Sequence, residues 1–187
     1  LHLRARATLR RVQAEIGPRA DGGLALRCGA EGDLFGRSTV QGTFVRSSGA
    51  FELAGSVDDA EVSPQLLELL AAESDAALGG AAADWLRRWG RGIRARVDLG
   101  WRASGLTSDL AATRGTVAAR VEGGRLEHAS LPFPLRDVSA ALVADNAGLR
   151  CERFEALTGS SIVRGGGTLS GWSAGADFDV VVEADRL

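Results

Sequence analysis

The chain has 187 residues, 45% of them hydrophobic, and a formal net charge of −2 from 22 cationic and 24 acidic residues. That balance supplies no basic footprint, which excludes nucleic acid as a partner held by charge. The length suffices for a core, but a start at Leu1 without Met and an end inside a repeated unit read as a fragment of a longer protein.

From the first residue the apolar positions alternate, at Leu1, Leu3, Ala5, Ala7 and Leu9, and again at Phe51, Leu53 and Val57. A period of two predicts strands with one apolar and one wet face. Turn chemistry at Asp21-Gly22-Gly23 and Ser48-Gly49 cuts this first block, residues 1–62, into short antiparallel strands. Ser63-Pro64 then offers a helix start, followed by Leu66, Leu67, Leu69 and Leu70, and Gly90 and Gly92 offer a stop. Residues 63–91 are therefore expected to form a helical insert of one or two short helices. Its most apolar run is interrupted by Glu68, Glu73 and Asp75, so it does not read as a membrane span.

Alternation resumes at Ile93, Ala95, Val97, Leu99 and Trp101, and at Val117, Ala119 and Val121, which makes residues 92–134 a middle β block. A last block, residues 135–187, alternates at Val138, Ala140 and Leu142 and at Phe178, Val180 and Val182. This block duplicates the first. LRCERFEALTGSSIVRG, from Leu149, matches LRCGAEGDLFGRSTVQG, from Leu26, at 8 of 17 positions without a gap, where chance gives roughly one or two. The match extends outward, since Leu9-Arg10-Arg11-Val12-Gln13-Ala14 answers Leu135-Arg136-Asp137-Val138-Ser139-Ala140.

The order of a strand pair, an L-x-G-x-S-x-V-x-G stretch, another strand, and then Val62-Ser63-Pro64-Gln65-Leu66-Leu67-Glu68-Leu69-Leu70 resembles the AsmA-like, bridge-like lipid-transfer proteins of diderm bacterial envelopes. Gly124-Arg125-Leu126, followed by Leu131-Pro132-Phe133-Pro134-Leu135-Arg136-Asp137-Val138, is similar to a repeating passage of that family. The resemblance implies a mainly β, elongated, taco-like antiparallel sheet built from repeated units, with an apolar inner groove. It also implies a periplasmic location, anchored to the inner membrane by a segment outside this fragment. The implied work is moving phospholipid between membranes or maintaining the outer membrane.

The physics of that work is concrete. Drawing the two sixteen-carbon chains of a phospholipid into water exposes some thirty methylenes, on the order of 25 kcal/mol. An apolar trough removes that barrier, and repeated units lengthen it without new chemistry. By strand parity the groove candidates are Val40, Phe44, Phe51, Leu53, Val97, Leu99, Val117, Val121, Val138, Leu142, Val163, Leu169, Phe178 and Val180. The competing reading is a closed sandwich in which the same residues are plain core. Trp85 and Trp89, four apart on one helix face, together with Arg87, Arg88 and Arg91, suit a flap or a membrane contact. A helix that docks this aromatic face over a sheet edge is the favoured reading.

Chemistry-bearing residues are sparse. Cys28 and Cys151 fall at equivalent positions of the two copies and read as small apolar side chains rather than a disulfide or a zinc site. His128, between Glu127 and Ala129 in an alternating stretch, reads as a surface or edge imidazole. Gly165-Gly166-Gly167 lacks the Lys and the helix of a phosphate loop and reads as a strand bend or bulge. Asp58, Asp59 and Glu61 lack the spacing of a calcium loop and read as a solvated strand end. No enzyme activity, cofactor or metal is expected. The partners expected are a phospholipid or other acyl-chain lipid, and envelope proteins. The alternative functions are a scaffold that offers strand edges to client outer-membrane proteins, and a structural β-repeat spacer.

Overall fold

A computed structural model describes residues 8–63, 92–128, 131, 133–172 and 177–185, with the side chains of Ala111 and Phe178 left aside. The helical insert expected at residues 63–91 lies outside the described residues from 64 onward. So do the strand expected at residues 1–7 and the candidates Trp85, Arg87, Arg88, Trp89 and Arg91.

The described chain is all β. Its ten strands are β1 (Leu9–Pro18), β2 (Leu24–Gly32), β3 (Arg37–Val45), β4 (Ala50–Val62), β5 (Ile93–Leu106), β6 (Asp109–Leu126), β7 (Leu135–Asp145), β8 (Gly148–Thr158), β9 (Ser161–Ser170) and β10 (Asp177–Asp185). They form one sheet in strict sequence order, every neighbouring pair antiparallel. β1 and β10 do not pair, so the curved sheet stays open rather than closing into a barrel. This is the antiparallel curved sheet that the alternation and the short connections predict.

The turns form where the sequence asks for them. Gly22 and Gly49 take φ of +78° and +71°, values that a side chain disfavours. Asp21 Oδ1 accepts from the Gly23 N–H at 3.0 Å, and this hydrogen bond holds its carboxyl below the usual range, with help from Arg19. Asp145 Oδ1 accepts from the N–H groups of Ala147 and Gly148, at 2.7 and 3.1 Å, the local mimic of a backbone turn.

Alternation slips by one residue at several points, and each slip is a bulge. Register shifts fall at Val57/Ala60, Val121/Gly124, Arg136/Ser139 and Cys151/Phe154, and at Arg10/Gln13 in β1. In sequence the sites share a form: two residues, usually charged, stand between apolar or small ones, as in Val57-Asp58-Asp59-Ala60, Leu135-Arg136-Asp137-Val138 and Cys151-Glu152-Arg153-Phe154. Placing two residues against one on the partner strand returns the next apolar side chain to the same face. Arg11, Asp59 and Asp137 are the only non-glycine residues with positive φ among those described, at 48°, 55° and 49°. Arg11 and Asp137 occupy matching positions of the duplicated units, so the duplication carries the backbone kink as well as the side chains.

The equivalence ends at register. Cys28 lies opposite Val40, whereas Cys151 lies opposite Gly167 and Val163 opposite Ala156. The β8/β9 hairpin closes tightly at residues 159–160, while residues 33–36 leave the β2/β3 hairpin more open. The two copies thus share strand order and facing but not pairing.

Packing is correspondingly thin. Among the described residues the buried hydrophobic side chains are Ala60, Val97, Val138 and Ala156. All four lie on one face of the sheet. Among the described residues no large side chain is fully buried, as expected for a single sheet layer taken by itself.

Candidate functional site

Register assigns every paired residue to one of two faces. One transverse row runs through Ala14, Cys28, Val40, Gly55, Trp101, Val117, Ala144, Leu149, Leu169 and Phe178, one residue from each strand. A second runs through Val57, Leu99, Ala119, Leu142, Cys151, Gly167 and Val180, and a third through Ala60, Val97, Val121, Ala140, Phe154, Gly165 and Val182. No charged residue stands on this face at any paired position.

All fourteen groove candidates occupy register positions of this apolar face. Val40, Phe44, Phe51 and Leu53 lie on β3 and β4, Val97 and Leu99 on β5, and Val117 and Val121 on β6. Val138 and Leu142 lie on β7, Val163 and Leu169 on β9, and Phe178 and Val180 on β10. For Phe178 only the backbone position, opposite Leu169, is described. Most of the others are half-buried, but Val117 and Val180 expose 42% and 61% of their surface.

The face also includes residues outside the groove candidates. Ile16, Leu24, Leu26 and Trp101 extend it. Phe154 joins it because the β8 bulge shifts the count: stepping by two from Cys151 gives Arg153, while the structure puts Phe154 opposite Ala140. The flanking pair Glu152-Arg153 is the signal that identifies the bulge in the sequence.

Two surface cavities lie on the other face of the sheet. A cavity of about 1110 Å³ runs across seven strands, lined by Glu15, Arg27, Gln41, Ala54, Arg102, Thr116 and Asp145, which form a single transverse row on the polar face. A second cavity, of about 920 Å³, is lined on the same face by Gln13, Arg37, Thr39 and Ser56, again with Arg27 and Arg102. Of the groove candidates only Leu53 and Val40 border either cavity, each flanked there by polar-face neighbours. The two cavities thus lie on the polar face of β1 to β7.

Elsewhere the polar face carries exposed ion pairs. Arg96 bonds the Asp59 carboxylate at 2.8 Å, and Arg164 bridges Glu155 and Asp185 at 3.1 and 2.9 Å. Arg125 also bonds Glu127. Exposed pairs of this kind contribute about 0–1 kcal/mol each. Arg27 and Arg102 make no ion pair among the described residues.

Other sequence expectations are refined. Asp58, Asp59 and Glu61 are exposed near the C-terminal end of β4, and Asp59 is its bulge residue. Gly165, Gly166 and Gly167 sit in unbroken register opposite Val182, Val181 and Val180, and the bulge is on β8 instead. Strand proximity explains the glycines, since a Cβ at Gly167 would stand 2.4 Å from the Asp179 carbonyl oxygen. His128 follows β6 in a connection rather than a strand, is half-buried, and accepts from the Leu131 N–H at 2.9 Å through its carbonyl.

Cys28 and Cys151 are free thiols on β2 and β8. Six strand spacings of about 4.8 Å separate those strands, too far for a bond. Burial raises the Cys151 thiol above its ordinary pKa. Among the described residues no group of three potential ligands gathers for a metal, and no helix is long and apolar enough to cross a membrane.

No family model, curated protein or solved structure matches the chain.

Proposed function

We propose that this chain is a segment of a periplasmic lipid-handling protein, and that its apolar sheet face receives the acyl chains of phospholipid. The observation that carries the reading is the continuous, uncharged and predominantly apolar face. Ten strands at about 4.8 Å spacing and some nine residues of about 3.4 Å give it roughly 43 by 30 Å, on the order of 1,300 Å². Ordinary monomers leave apolar patches of about 300–600 Å². At about 25 cal/mol per Å², wetting such a face forgoes on the order of 30 kcal/mol, more than a domain's typical net stability. Something therefore covers it. A helix as long as the insert expected from the sequence would be about 40 Å by 10 Å, a third of the face at most.

On this reading hydrocarbon is held between this face and a second apolar surface. The absence of charge at every paired position supports hydrocarbon as the covering over a polar partner. Moving lipid between membranes, or maintaining the outer membrane, is the work this surface suits, and it needs no cofactor and no catalysis.

The test is native mass spectrometry of the purified chain, combined with lipid extraction. Phospholipid retained at a defined stoichiometry is the expected outcome. Lipid-free protein whose apolar-face residues are all protected by the chain itself would overturn the reading in favour of a structural spacer.

A further inference from the structure

We propose that the polar face binds a short saccharide carrying two oxyanion groups, a sugar bisphosphate in class, with one group on Arg27 and the other on Arg102. Both arginines border both polar-face cavities. Neither is engaged in an ion pair among the described residues. Glu15 is the register partner of Arg27, yet the described ion pair between β1 and β2 joins Arg11 to Glu31 instead. A guanidinium left without a carboxylate keeps its planar fork of donors for the paired oxygens of a phosphate or carboxylate.

The order of charge along the row sets the length of the ligand. From β1 to β7 it runs acid, base, two neutral positions, base, neutral, acid, with Glu15 and Asp145 at its ends. Arg27 and Arg102 stand three strand spacings apart, about 14 Å at the backbone. An extended polyanion laid along the row meets Glu15 or Asp145, where like charges repel. A compact ligand with an oxyanion at each end meets the two arginines alone.

The space between the arginines suits a hydroxylated stem. Gln41 offers an amide there, and Ala54 is small enough to leave room above it. In the next row Thr39 and Ser56 share a hydrogen bond of 3.0 Å. Whichever hydroxyl donates, the other keeps its own O–H for a ligand. Gly29 and Gly100 flank that pair in register and put no side chain over it. The inference concerns the polar face and stands apart from the lipid reading of the other one.

The test is isothermal titration calorimetry of the full chain at low salt with three probes: fructose bisphosphate, fructose, and heparin as an extended polyanion. The bisphosphate is expected to bind and fructose to give no heat. Arg27→Gln and Arg102→Gln are each expected to weaken the bisphosphate at least about tenfold, and lysine at either position to restore only part of the loss. Ala54→Phe, which fills the gap without changing charge, is expected to weaken it too. Arg96→Gln, whose guanidinium already bonds Asp59, should stay within about twofold of the parent. Circular dichroism of each variant checks that it folds. No heat with the bisphosphate, parental affinity in both glutamine variants at Arg27 and Arg102, or equal binding of fructose would each overturn the proposal. Heparin binding more tightly than the bisphosphate would overturn it in favour of a general polyanion surface.

Discussion

The backbone N–H of Asp59 donates to the Asp98 carboxylate across β4 and β5 at 2.8 Å, so the residue that kinks one strand is held by a side chain of the next. The Asp59 carboxylate in turn accepts from Arg96. Asp98→Ala leaves the kinked N–H to water and is expected to lower stability by about 1 kcal/mol in urea denaturation. Asp59→Gly loses an exposed ion pair but relieves a φ of +55°, and should fall within about 0.5 kcal/mol of the parent.

Two glycines of the polar and apolar faces should respond in opposite senses to alanine. A Cβ at Gly42 would stand 2.3 Å from the Glu52 carbonyl oxygen and 2.5 Å from Leu53 Cδ2, whereas nothing lies within 4 Å at Gly100. Gly42→Ala is expected to destabilise by about 2 kcal/mol. Gly100→Ala is expected to stabilise by about 0.4–1 kcal/mol through the unfolded chain. Thermal melts of the two variants, run beside the parent, check both signs.

Exposed positions of the apolar face separate lipid binding from folding. Val117→Lys and Val180→Lys alter side chains that are 42% and 61% exposed, so the melting temperature should move little. Retained phospholipid, measured per mole of protein, is expected to fall several-fold in the double variant. Retention at the parental level would place the lipid elsewhere.

Asp21 gives the fold an acid-sensitive turn. Its carboxyl is held below the ordinary carboxylate value, first by the hydrogen bond from Gly23. A depressed folded pKa means that its contribution is present above about 3.8 and is lost as pH falls through the folded value. Asp21→Asn is therefore expected to lose less stability than the parent between pH 5 and about pH 2, read from paired denaturation curves.

How much of this was legible in the residues differs by level. Alternation at Phe51 and Leu53, or at Val97 and Leu99, identified strands and the shared face, because a half-buried sheet needs a period of two. The same alternation could not say where the two cavities lie. Curvature follows from bulges and twist accumulated over ten strands, and the polar row from Glu15 to Asp145 assembles only from register across seven of them. Phe154 was hidden for a related reason, since a local insertion breaks the count at Glu152-Arg153. The duplicated Leu26 and Leu149 segments gave strand order and facing, yet their hairpins close at different points, and pairing depends on loop length rather than on the matched residues.

Because each strand touches only the strands before and after it in sequence, the molecule is held together like a zip fastener. Such a chain can begin to fold on a ribosome or at a translocon before its far end exists, since every pairing except β4 with β5 closes over a short loop. The same arrangement sets its mechanical weakness: force applied at the two ends should peel strands away one by one, in a series of small steps rather than a single rupture.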